Sequence, residues 1–320
     1  MKVIYMGSPE FALYGLEAIN NSSHEIVAVI TREDKAKGRK KILEPTVVKK
    51  RALELGLPVY TPKNPNDAAF LTELSSLGAD IIVVSAYGKM LKWDLLTLVP
   101  YGAMNIHGSL LPLYRGASPI NTAIRNGEAT TGVTIMYMDE GMDEGDICLK
   151  GSVPIEENDN FVTLRDKMGL TGGKLIVDAL DLVAKGVAPR YRQSKSKATY
   201  CSLLTREDEK LNWQADIDSL YNHIRSLAPE PGAYTYLNGE VVKIIETRRE
   251  RREHNYDSGR IVGSCKKQGV QVAARGGWLW LLRVKPAGKK AMNALDWYRG
   301  LRNTDELYFT TEPLINSKEN

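Results

Sequence analysis

Asn105 and His107 stand two residues apart at the end of the strand-like run Gly102–Ile106. They are followed by Gly108-Ser109-Leu110-Leu111-Pro112-Leu113-Tyr114-Arg115-Gly116. Alternate residues of a strand share a face, so the amide and the imidazole point the same way. An amide N–H donates to an oxygen that is gaining negative charge, and an imidazole moves a proton near neutral pH. Acyl-type chemistry needs both services. A histidine here also suits a structural role, bonded to a nearby carbonyl. The amide beside it, the glycines at 108 and 116 and the rigid Leu-Leu-Pro weigh toward chemistry. Downstream, Asp139, Glu140, Asp143, Glu144 and Asp146 put five carboxylates within residues 139–146. Their spacing does not match the ligand positions of an EF-hand. Such a turn is either a solvated surface or the source of one carboxylate that orients and charges His107. The residues alone leave both open.

These groups need a scaffold, and the first half of the chain reads as one. Strand-like runs at Lys2–Met6, Glu25–Ile30, Pro58–Tyr60, Asp80–Ser85, Gly102–Ile106 and Gly132–Met138 alternate with helical segments at Pro45–Leu55, Asp67–Leu77, Ser118–Asn126 and Phe161–Lys185. The continuous β-branched run Asp80–Ser85 is typical of a strand buried on both faces. This order predicts an open, mostly parallel sheet with helices on both faces, which binds ligands at the carboxyl ends of its strands. At the first strand–helix junction, Met6-Gly7-Ser8-Pro9-Glu10 predicts a helix start with Ser8 as cap and Pro9 at the first position. The junction is neither GxGxxG nor a P-loop, which argues against a dinucleotide dehydrogenase or a kinase.

From Gly186 the pattern breaks, and residues 187–206 read as a polar linker. A helix is predicted at Asp216–Leu227. Asn238-Gly239 between Tyr234–Leu237 and Val241–Ile245 is a strong hairpin signal. Further strands at Gly259–Val262, Val270–Ala273 and Trp278–Val284, with a helix at Ala291–Leu301, predict a small β-barrel over 207–303. Residues 304–320 read as a polar tail.

The chain has 320 residues, 43% hydrophobic and 26% charged, which excludes a disordered or collagen-like chain. No apolar run is long enough to span a bilayer. The absence of a leader-like segment and the unpaired spacing of Cys148, Cys201 and Cys265 point to free thiols in the cytoplasm. No residue pattern calls for a metal. Charge is uneven: residues 1–205 carry 24 basic and 23 acidic side chains, residues 211–302 carry 16 and 9. A basic surface keeps a protein soluble and also attracts a polyanion. A second basic feature, Lys35-Ala36-Lys37-Gly38-Arg39-Lys40-Lys41, holds five cations in seven residues after the second strand, where it could reach a phosphate backbone.

Asn-Ile-His-Gly-Ser-Leu-Leu-Pro-x-Tyr-Arg-Gly at 105–116 and Gly-Val-Thr-Ile-Met-x-Met-Asp-x-Gly-Met-Asp-x-Gly-Asp at 132–146 resemble the folate-dependent formyltransferases. So do Met6-Gly7-Ser8-Pro9-Glu10-Phe11-Ala12, Ala86-Tyr87-Gly88, Pro231-Gly232-Ala233-Tyr234-Thr235 and Pro286-Ala287-Gly288-Lys289-Lys290. The resemblance runs from Met1 to about Asn303. It implies a Rossmann-like catalytic domain over 1–186 and an OB-like tRNA-binding barrel over 207–303. The implied reaction moves a formyl group from 10-formyltetrahydrofolate to the α-amine of methionyl-tRNA, with a nucleotide-linked amino sugar as the alternative acceptor. The resemblance places the catalytic roles on Asn105, His107 and Asp143, and folate contacts on Ser109, Leu110, Leu111 and Pro112. It places tRNA contacts on Lys35, Lys37, Arg39, Lys40 and Lys41, and its C-terminal motif adds Lys289 and Lys290. Ala36 stands where the family's loop has Pro. A cytoplasmic monomer is expected.

Overall fold

The computed structural model describes residues 1–37, 42–301 and 306–313. Arg39, Lys40 and Lys41, and the side chain of Lys37, lie outside the described residues. The chain forms two compact units. The first comprises Met1–Pro119, Thr130–Pro154 and Arg165–Cys201, and the second takes in Ile120–Ala129, Ile155–Leu164 and the chain from Ser202.

The first unit is built on seven strands: β1 (Lys2–Gly7), β2 (Glu25–Ile30), β3 (Val59–Tyr60), β4 (Ile81–Ser85), β5 (Ala103–His107), β6 (Thr130–Tyr137) and β7 (Ile147–Pro154). Their order across the sheet is β7-β6-β5-β4-β1-β2-β3. The pairs from β3 through to β5 are parallel, while β6 runs antiparallel to β5 and β7 to β6. β4 is buried along its whole length, as its β-branched run requires. One face buries Ile4, Met6, Ile82 and Val84 under Leu74, Leu95 and Leu96. On the other, Tyr5 and Ile106 press so closely on helix Glu10–Asn20 that a Cβ at Gly15 would lie 2.7 Å from each.

Local sequence sets the starts of several helices, but not that of the first. Thr46 accepts from Lys49 N–H and Asp67 from Ala69 and Phe70 N–H, capping helices Val47–Glu54 and Ala68–Ser75. Ser8 does not cap the first helix. Pro9 occupies the cap position, and the buried Ser8 hydroxyl donates to Tyr87 O and accepts from Thr31 Oγ1 and Arg32 N–H. Its long-range partners at the ends of β2 and β4 outcompete the helix's own N–H groups.

The second unit is an antiparallel barrel of β8 (Ala233–Leu237), β9 (Glu240–Glu250), β10 (Ile261–Cys265), β11 (Gly269–Ala274), β12 (Gly277–Pro286), β13 (Met292–Asn293) and β14 (Phe309–Thr310). The order is β10-β11-β12-β9-β8-β14, with β13 on β12. Asn238 and Gly239 both take positive φ, 51° and 79°, as a tight primed turn demands. An isolated bridge between Arg260 and Tyr308 joins the two ends of the order, through Ile261 N–H to Leu307 O and Phe309 N–H to Gly259 O, both 2.8 Å. The polar composition of residues 304–320 thus conceals a strand. Leu307 and Phe309 are buried, and Phe309 stacks on Trp213 and Trp297 with ring centroids 5.5 and 6.0 Å away. The last helix is shorter than its apolar pattern suggests, Ala294–Arg299, because Met292–Asn293 pairs with β12 and the Asn293 side chain caps Leu295.

Candidate active site

β5 ends at the site. Its pairing between β4 and β6 sets Asn105 opposite Val84 and Met136, and His107 opposite Thr134. His107 is 5% exposed and Asn105 is part-exposed. His107 Nε2 lies 3.0 Å from the Tyr114 carbonyl. A carbonyl only accepts, so Nε2 carries the hydrogen of the neutral ring and Nδ1 is the nitrogen that takes up or releases a proton. Nδ1 faces Asp143 Oδ2 at 3.6 Å, too long for a hydrogen bond. Both groups facing the imidazole come from residues in the left-handed region, Tyr114 at φ 56° and Asp143 at φ 53°. Non-glycine residues hold that conformation at a cost that the surroundings must offset, and such residues cluster at functional sites.

Asp143 is itself anchored. Its Oδ2 accepts from Gly116 N–H at 2.8 Å. Gly116 has φ 113°, and a Cβ there would lie 2.2 Å from the Cys201 carbonyl. The dipeptide Arg115-Gly116 pairs in parallel with Tyr200-Cys201. The other acids differ in setting: Asp139 accepts from Gly141 N–H, Glu140 is exposed, and Glu144 lies 3.2 Å from the buried Arg115 guanidinium.

The loop 109–112 divides into two kinds of position. Ser109 and Leu111 have no exposed surface. The Ser109 hydroxyl donates to Leu113 O at 2.6 Å, and Thr134 Oγ1 ties Ser109 O and Leu111 N–H to β6. Leu111 packs on Met136 and Ile147. Leu110 and Pro112 are part-exposed and offer apolar surface. Lys150 donates to the Leu111 carbonyl, and burial lowers its ammonium below the usual lysine range.

Three residues that sequence reasoning assigned no role belong to the site's frame. Arg115 is 1% exposed, and Gln193 and Cys201 are buried; the last two fall where composition reads as linker. Tyr191 bridges to Ile147, so residues 191–201 are folded into the first unit. Arg115-Gly116 within the quoted motif was the available signal; nothing local marks Gln193. A cavity of 1020 Å³ opens beside the acidic loop, lined by Leu96, Ala103, Met138, Glu144, Arg190 and Gln193 among others, while Asn105, His107 and Asp143 do not line it. Arg190 lies over the Tyr137 ring there, 3.7 Å from its centroid. Of the residues expected to meet a polyanion, Lys35, Lys289 and Lys290 are exposed. Among the described residues no helix is long and apolar enough to cross a membrane.

The chain is similar to known proteins along nearly its whole length. The family described as formyl transferase matches residues 1–180, and its C-terminal domain matches residues 203–302. A protein of Syntrophus aciditrophicus named methionyl-tRNA formyltransferase is 41% identical over 300 residues, covering 94% of this chain and 96% of that protein. One of the same name from Bacillus licheniformis is 39% identical over 300 residues, covering 93% and 95%. Among solved structures, an N-formyltransferase from Helicobacter canadensis in complex with folinic acid and dTDP-3-aminofucose superposes with a TM-score of 0.65 at 20% identity, covering 91% of this chain and all (100%) of that one. HypX from Aquifex aeolicus in complex with tetrahydrofolic acid gives 0.64 at 14%; 93% of this chain matches 46% of that longer one. At these identities the two structures show a shared fold.

Proposed function

Because the chain belongs to the formyl transferase family, we propose that it moves the formyl group of 10-formyltetrahydrofolate to the α-amine of methionyl-tRNA. The observation that carries the chemistry is the convergence on β5: a part-exposed amide, a histidine with its tautomer set by Tyr114, and a carboxylate 3.6 Å from the other ring nitrogen. The folate supplies an activated formyl carbon. The part-exposed apolar surfaces of Leu110 and Pro112 suit a flat aromatic donor, while Ser109 and Leu111 shape the loop from within.

The residues then divide the work. As the amine attacks, the formyl oxygen gains charge and Asn105 donates an amide hydrogen to it. His107 accepts the amine proton at Nδ1, the nitrogen left free by the Tyr114 contact. Asp143 stabilises the imidazolium across 3.6 Å without needing to become protonated. His107 returns the proton to the departing nitrogen as the carbon–nitrogen bond to the donor breaks. Proton and electron pair are accounted for by three side chains of one chain, and we take the enzyme to act as a cytoplasmic monomer.

The basic surfaces suit a small acceptor carried on a large polyanion. Lys35, Lys37, Arg39, Lys40 and Lys41 would position the tRNA beside the site, and Lys289 and Lys290 on the exposed turn after β12 would hold it at the barrel. The test is formyl transfer measured side by side with methionyl-tRNA and with a nucleotide-linked amino sugar. Turnover of methionyl-tRNA alone supports the reading; turnover of the sugar alone overturns it.

A further inference from the structure

Gln193 is 7% exposed, and its amide uses every hydrogen-bonding position it has. Nε2 donates to the carbonyls of Asp143 and Gly145, both at 2.8 Å. Oε1 accepts from Arg115 Nη2 at 2.9 Å and Nε at 3.2 Å. The same guanidinium places Nη1 3.2 Å from Glu144 Oε1 and 3.3 Å from the Tyr200 hydroxyl. The clamp therefore straddles the turn that carries Asp143. One bond goes to Asp143's own carbonyl and one to the carbonyl two residues on, and Arg115 takes the side chain of the residue between them. Asp143 sits at φ 53°, a conformation that relaxes unless something holds it. Its carboxylate must at once meet Gly116 N–H and face His107 Nδ1.

We propose that Gln193, locked in place by Arg115, is a positioning residue for proton transfer: it holds the turn that aims the Asp143 carboxylate at His107. The proposal rests on the reading that Asn105, His107 and Asp143 carry the chemistry. Neither Gln193 nor Arg115 touches the reacting atoms. The Asp143 carboxylate faces His107; Arg115 and Glu144 pair with each other, Lys150 donates to the Leu111 carbonyl, and the Cys201 thiol donates to the same Tyr114 carbonyl as His107. Of these, Asp143 is the one that faces the ring, and the clamp holds its turn.

The test uses the full-length enzyme with Gln193→Leu, Gln193→Glu and, as reference, Asp143→Asn. Gln193→Glu keeps the size and the pairing with Arg115, and serves as a second variant where Gln193→Leu does not fold. It turns acceptor oxygens toward two carbonyls and cannot donate to them. A displacement of the order of 1 Å near a reacting group costs about 100-fold, so kcat should fall about 10- to 100-fold in both variants, with KM for methionyl-tRNA unchanged. In Gln193→Leu the limb of the pH–rate profile should move in the same direction as in Asp143→Asn. Combining Gln193→Glu with Asp143→Asn should be no worse than Asp143→Asn alone, because both remove one contribution. If the Gln193 variants lose thermal stability while kcat and the limb stay put, the clamp is merely structural and the proposal fails. If Asp143→Asn itself turns over normally, the reading of the site fails instead, and the two failures are told apart.

Discussion

At His107 two physical requirements meet in one ring. The Tyr114 carbonyl fixes which nitrogen carries hydrogen, and the Asp143 carboxylate faces the other. Removing the imidazole or the Asn105 amide removes a service that is realised only as charge develops. His107→Ala and Asn105→Ala should each lower kcat about 100-fold or more while the protein keeps its circular dichroism spectrum. Asp143→Asn keeps the shape and loses the charge. The protonated ring formed during transfer then lacks its facing carboxylate, so turnover should fall and the pH–rate profile should move with it. Asp139→Asn and Glu140→Gln should leave turnover close to normal in the same assay. Glu144→Gln should fall between, because it leaves the buried Arg115 with a neutral partner. Equal losses at all four acids would make the loop a general acidic patch.

Among the elements, the barrel's closing strand carries an unexpected share of the core. Phe309 lies between Trp213 and Trp297, so Phe309→Ala opens a cavity in an aromatic stack and should cost about 3–5 kcal/mol, read from urea melts. Truncation after Asn303 should have at least that effect. Helix Ile217–Leu227 contributes a pH dependence. Burial, with the nearby Arg125 charge, lowers the His223 pKa to about 4, and its Nε2 has no hydrogen-bond partner among the described residues. The sign follows from the folded value lying below the unfolded value of about 6.5. Between those values the unfolded chain binds the proton, so stability is full above about pH 6.5 and falls as pH drops toward 4, by about 3 kcal/mol at most. Thermal melts between pH 7 and pH 4 should show a steeper loss for the wild type than for His223→Gln. Parallel curves would place the acid sensitivity elsewhere.

For the molecule as a whole, the question is how a polyanion is held while three uncharged or internally paired groups do chemistry. Arg39, Lys40 and Lys41 replaced together by Ala should reduce the log–log salt dependence of tRNA binding by close to three units, about 0.9 for each phosphate that is no longer neutralised. Lys289→Ala with Lys290→Ala should flatten it further. Turnover of bound substrate should stay unchanged in both, because phosphate contacts position the acceptor and leave the reacting centre alone. Filter-binding titrations across salt concentration measure the slopes. Coincident slopes for the wild type and the triple variant would make that loop a solvated surface and favour the smaller sugar acceptor.

Local sequence by itself determined the elements whose cause is local. The β-branched run at β4 and the Asn238-Gly239 turn are properties of neighbouring residues, and each appears where its pattern placed it. Strand alternation likewise placed Asn105 and His107 on one face, since a period of two needs no tertiary information. Tertiary structure decided what depends on partners distant in the chain. It selected which carboxylate faces His107, because Asp143 is aimed by Gly116 and Gln193, 27 and 50 residues away. It turned Ser8 from a cap into a junction of three segments. It drew residues 191–201 out of a linker-like composition into the site, where buried hydrogen bonds outweigh the polarity that made them read as loop. It also took Leu307 and Phe309 from a polar tail into the barrel. Two apolar side chains among charged neighbours carry little periodic signal, and only the open edge of a sheet elsewhere in the chain gives them a place to bury.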